Sequence, residues 1–119
     1  MTQLDPNNPA QVAHEIARLS EMLEERTGEY RDDIEEAAKL SATLKGDYAR
    51  AMLTVIASSN GGRMTVAEKD ARVEVEVNNE RIIAEVSEAK AKATKAALDS
   101  LRVQIDALRS LGANLRAQT

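Results

Sequence analysis

The chain has 119 residues, a length suited to one domain, with 16 Lys and Arg against 20 Asp and Glu and a formal net charge of −4. It has two tyrosines, no Phe, no Trp and no cysteine. Disulfides, thiolate metal sites and a thiol nucleophile are therefore excluded, and Ala, Leu, Val and Ile must supply the core. The acidic balance argues mildly against a general nucleic-acid coat, and no apolar run approaches the ~20 residues of a membrane span.

Residues 1–7 read as a frayed leader. The start MTQLDPNNPA has neither a basic region nor an apolar run, so no signal peptide and a cytoplasmic location are expected. Asn8-Pro9 is a helix start: Asn caps, and Pro tolerates the first helical position. The first helix is predicted over about 9–57. Its apolar stripe of Ile16, Leu19, Leu23, Tyr30, Ile34, Ala37, Leu40, Leu44, Tyr48, Ala51 and Val55 advances mostly in steps of three, four and seven. Gly28 and Gly46 are weak points, each costing roughly 1 kcal/mol against Ala. A kink or break would fall near residues 27–29.

Ser58-Ser59-Asn60-Gly61-Gly62 is the strong breaker cluster, and the turn is predicted over 58–64. Thr65-Val66-Ala67-Glu68 then fits the S/T-x-x-E capping box. A second helix is predicted over about 65–116. Its last third carries a coiled-coil pattern of Leu98, Leu101, Ile105, Leu108 and Leu115, with Gly112 completing the spacing. Arg72-Val-Glu-Val-Glu-Val77 alternates with period two, so a short strand competes there. A strand needs a partner, and the chain holds no second alternating run. Helix is preferred, with Asn78-Asn79 as a soft spot.

Charge is arranged in blocks. Residues 1–36 hold ten acids against three arginines, net −7, and residues 37–65 are net +3. Residues 66–88 are net −4, and residues 89–119 are net +4. Folding the chain back at Asn60-Gly61-Gly62 sets each block against its opposite. The expected architecture is therefore all-α: one antiparallel two-helix, coiled-coil-like hairpin forming a single domain. Such a hairpin buries little apolar surface for its length. Self-association into a homo-oligomer is expected through Leu98, Leu101, Ile105, Leu108 and Leu115.

Lys95, Arg102, Arg109 and Arg116 recur every seven residues beside that seam. They form a basic ridge about 30 Å long at ~1.5 Å per residue, with Lys90 and Lys92 as its extension. A ridge of this kind can track the phosphates of a single strand. The competing reading, somewhat favoured by the charge blocks, makes these residues flanking cations that pair with the acidic first helix or a neighbouring subunit. Their aliphatic stems would then cover the seam. Tyr30 and Tyr48 sit on the core stripe, so base stacking is not expected of them. His14 is alone and extends to no H-E-x-x-H motif, because position 18 is Arg. Gly61-Gly62 follows no strand and leads to no Lys-Ser/Thr, so it is no phosphate loop. The carboxylates from Glu24 to Glu36 read as a solvated face. No enzyme activity, cofactor, metal or small-molecule substrate is expected.

The segment Leu101-Arg-Val-Gln-Ile-Asp-Ala-Leu-Arg-Ser-Leu-Gly-Ala-Asn-Leu-Arg116, with Tyr48-Ala-Arg-Ala, the Gly-containing turn and the Thr65…Glu68-Lys69…Arg72 start, resembles small all-helical early-region proteins of actinobacterial tailed phages. The layout more distantly resembles UvsY-type recombination mediators. These resemblances imply a phage-infected bacterial cell and a non-catalytic accessory role in DNA recombination or replication. The implied partners are single-stranded DNA, a recombinase or a single-strand-binding protein. They carry over no individual binding residue, so the ridge rests on its spacing. The alternative is a coiled-coil interaction module (adaptor, scaffold or host-factor inhibitor) without nucleic-acid binding. A virion scaffolding component is a third reading.

Overall fold

The computed structural model describes residues 4–59 and 62–118. Three helices account for nearly all of them: α1 Pro9–Ser58, α2 Val66–Glu76 and α3 Asn78–Ala117. The described residues contain no strand. Asn60 and Gly61, at the centre of the expected turn, lie outside the described residues.

Local chemistry explains the helix ends. The Asn8 side-chain oxygen accepts from the backbone N–H of Ala10 (3.0 Å) and of Gln11 (3.3 Å), capping α1. α1 then runs for 50 residues through Gly28 and Gly46 without a break. Near the expected weak point, the Thr27 hydroxyl donates to the Leu23 carbonyl at 2.6 Å. The Gly62 N–H donates to the Ser59 carbonyl at 2.7 Å. A Cβ at residue 62 would stand 2.7 Å from that same oxygen, so this approach requires glycine. Thr65 caps α2, its hydroxyl accepting from the Glu68 N–H at 3.1 Å.

The second expected helix is two helices. Val77 separates them at φ −102° and ψ 12°, outside the helical region. Hydrogen bonding still passes through the joint: the Val77 N–H donates to Val73 (3.0 Å), and the Val77 carbonyl accepts from Arg81 (2.9 Å). The Val-Glu-Val-Glu run completes α2, and the deviation falls one residue before the Asn78-Asn79 soft spot. Across the joint, Arg81 grips Glu74 with Nε and a terminal nitrogen, each 2.6 Å from a carboxylate oxygen.

The chain divides into two compact units, Met1–Arg31 with Lys92–Thr119, and Asp32–Ala91. In the first, Leu19, Leu101 and Ile105 form a buried cluster against which Ile16, Met22, Leu23 and Leu108 pack. Val12 lies beside Gly112, where a Cβ would be 3.7 Å from its methyl carbon. These neighbours descend along α1 as they climb along α3. In the second unit, Val55, Val73, Val77 and Ala84 are buried. There the Tyr48 hydroxyl donates to Asp70 at 3.1 Å, and Lys90 pairs with Asp33 at 3.5 Å. Ile34, expected on the inner stripe, is 45% exposed, and its neighbour Asp33 is buried instead. From Tyr30 to Ala37 the steps through Asp33 are three and four and those through Ile34 are four and three, so spacing alone admits either residue.

Candidate functional site

Two surfaces merit description: the basic residues of α3, and the apolar side chains left exposed in the unit Asp32–Ala91.

Lys90, Lys92, Lys95, Arg102, Arg109 and Arg116 are all exposed. Lys95, Arg102, Arg109 and Arg116 stay within one side of α3, because a seven-residue repeat drifts only about 20° per heptad. Lys90 stands about 140° round the helix from Lys95 at 100° per residue, and it pairs with Asp33. The six residues therefore do not form one face. Arg102 pairs with Asp99 at 3.4 Å and Arg109 with Asp106 at 3.9 Å, each partner one turn back on the same helix. Exposed pairs at this spacing contribute a few tenths of a kcal/mol. They leave Arg102 and Arg109 reachable from solvent, with side chains 58% and 65% exposed.

Leu98, Leu101 and Ile105 are buried inside the chain, and Leu108 and Leu115 are half-buried. Much of the seam expected to join copies is thus covered by α1 of the same chain. Burial of each Leu or Ile side chain stabilises the fold by about 1.5–3 kcal/mol.

Ten large apolar side chains are exposed among the described residues, and eight belong to the unit Asp32–Ala91: Ile34, Leu53, Ile56, Val66, Val75, Ile82, Ile83 and Val86. Ile82, Ile83 and Val86 line a shallow recess with Leu40 and Ser87, rimmed by Glu36 and Lys90. Among its described residues the unit also holds two buried polar side chains. Asp33 is engaged by Lys90, whereas the Ser87 hydroxyl, in a residue 8% exposed, has no hydrogen-bond partner.

Sequence reasoning missed the outer apolar residues because it followed the heptad only through the last third of the chain. The signal was present: Val75, Ile82, Val86, Ala89, Ala93, Ala96 and Val103 repeat in steps of seven, four and three. Five of its members lie two residues beyond the inner positions Val73, Ala84, Ser87, Ala91 and Leu101, which is about 200° round the helix.

Tyr30 and Tyr48 are both half-buried. Burial first, and the hydrogen bond to Asp70 second, raise the Tyr48 pKa above its ordinary 10.0. Tyr48 is therefore a tether between α1 and α2. His14 is exposed. The described residues contain no group of three or more His, Cys, Asp or Glu able to hold a metal ion. None of their helices is long and apolar enough to cross a membrane.

No family model, curated protein or solved structure matches the chain.

Proposed function

We propose that the protein is a non-catalytic helical interaction module, an adaptor or scaffold built on one antiparallel hairpin, that works by presenting an apolar helical surface to a protein partner. The observation that carries this reading is the recess where exposed Ile82, Ile83 and Val86 meet Leu40, in a unit that holds eight of the ten large exposed apolar side chains among the described residues. Exposed apolar side chains gathered rather than scattered mark interaction surfaces. The hairpin is supported within each unit by neighbours that run in opposite senses: Val12 with Gly112 and Leu19 with Ile105 in one, Asp33 with Lys90 and Tyr48 with Asp70 in the other.

The exposed line Lys95, Arg102, Arg109 and Arg116 favours a second reading. In it the module is an accessory of phage-type DNA recombination or replication and holds single-stranded DNA by its backbone. Neither tyrosine is placed as a stacking platform, so contact would be to phosphates and insensitive to base composition. Fluorescence anisotropy with a labelled oligonucleotide at low salt separates the two. The interaction reading expects no binding at about 10–100 µM protein, where non-specific binders register. Salt-sensitive binding that charge reversal at Arg102 and Arg109 abolishes would establish the second reading instead.

A further inference from the structure

The outer face of α3 changes character along its length. Toward its start it is large and apolar, with Ile82 50% and Val86 63% exposed. From Ala89 it continues through exposed Ala93 and Ala96, both small, to Val103, which is 68% exposed. Charge changes in the same direction, since residues 66–88 are net −4 and residues 89–119 net +4. Over residues 82–96 the large apolar side chains stand on the acidic side of this change and the small ones on the basic side, so the stretch is complementary to itself when reversed.

We propose that this face is a self-association surface whose occupant is α3 of a second copy, laid antiparallel across a twofold axis. This rests on the interaction-module reading and names its partner. The inner seam is occupied by α1, so the outer heptad is the one left to pair.

The register follows from the spacing. Antiparallel heptad seams set each position of one kind opposite the other kind. On this stripe that places Ile82 over Ala93 of the second copy, and Val86 over its Ala89. Large meets small in each layer, so two helices can approach closely. In the same register Glu85 flanks the seam opposite Lys92 of the second copy, and the twofold axis makes that pair twice. A parallel arrangement would stack like on like along the stripe, Ile82 on Ile82 and Ala93 on Ala93, and would part Glu85 from Lys92 of the second copy. The fit of large to small therefore selects the antiparallel form, and the Glu85–Lys92 pair stabilises it.

Sedimentation equilibrium across the micromolar range tests this. The wild type is expected to shift from one chain to two as concentration rises. Val86→Asp is expected to remain a single chain with unchanged helical circular dichroism, because the residue is exposed within the chain. Glu85→Lys and Lys92→Glu are each expected to weaken association at least tenfold. Mixing those two variants in equal amounts, or combining them in one chain, is expected to restore it, since either route regenerates opposite charges across the axis. A wild type that stays a single chain throughout overturns the proposal. So does association that Val86→Asp leaves intact or that the charge exchange does not restore. In the last two cases the interaction-module reading survives with a different surface.

Discussion

The two buried polar residues of the unit Asp32–Ala91 behave differently. Asp33 is held by Lys90, but the Ser87 hydroxyl sits among Ala84 and Ala91 with nothing to donate to. An unsatisfied buried hydroxyl costs about 1–3 kcal/mol. Ser87→Ala should therefore raise stability by about 1 kcal/mol in urea denaturation, with no loss of helicity. Gly112→Ala should act in the same direction. Its new Cβ would meet Val12 at an ordinary 3.7 Å, and alanine is favoured over glycine in a helix by about 1 kcal/mol. Tyr48 gives a pH signature. Because its pKa is raised in the fold, the folded chain keeps the phenol proton where the unfolded chain begins to lose it. The stabilisation is fully present below pH 10.0 and is lost as pH rises through the higher folded value. Chemical denaturation followed against pH should show the wild type losing stability above that point more steeply than Tyr48→Phe. Equal slopes would mean that Tyr48 is neither buried nor bonded to Asp70 in solution.

At the scale of elements, sequence patterning revealed much. Asn8 and Thr65 supply the side-chain oxygens that cap α1 and α2, and the inner heptad from Leu98 to Ile105 is buried as its spacing requires. Where two signals overlapped, patterning preferred helix correctly but missed its interruption. Around residues 72–79 the alternating valines disguise the continuing heptad, and the compromise is a helix that deviates for one residue at Val77. The Glu74–Arg81 pair closes over that deviation, and no propensity rule anticipates it because the pair spans seven residues. Arg81→Ala should speed amide exchange around Val77 while leaving exchange near Leu101 unchanged, a contrast that hydrogen–deuterium exchange resolves. The expected role of Leu101 also shifts. It is 7% exposed within the chain, so Leu101→Asp places an unpaired charge in a packed interior and should unfold the chain by several kcal/mol. A folded Leu101→Asp monomer, seen by circular dichroism together with sedimentation, would show instead that the residue joins subunits.

At the scale of the molecule, the alternation of charge blocks was legible from the residues alone, whereas the surface that matters most was not. Composition shows how many apolar residues exist but not which remain uncovered. Ile34 and Asp33 show why: a one-residue difference in phase decides which side chain enters the seam, and spacing permits either until the partner helix is placed. The basic ridge was equally visible in the sequence, and the fold leaves it exposed but interleaved with Asp99 and Asp106. These carboxylates weaken the field that a phosphate backbone would meet. The apolar face carries no such compensation. The central claim is that the molecule works through that face, and the most direct test is its mass by sedimentation equilibrium at rising concentration, with and without oligo(dT). The account predicts a rise toward two chains that the oligonucleotide does not alter. A single chain at every concentration, gaining mass only when oligo(dT) is present, would contradict it.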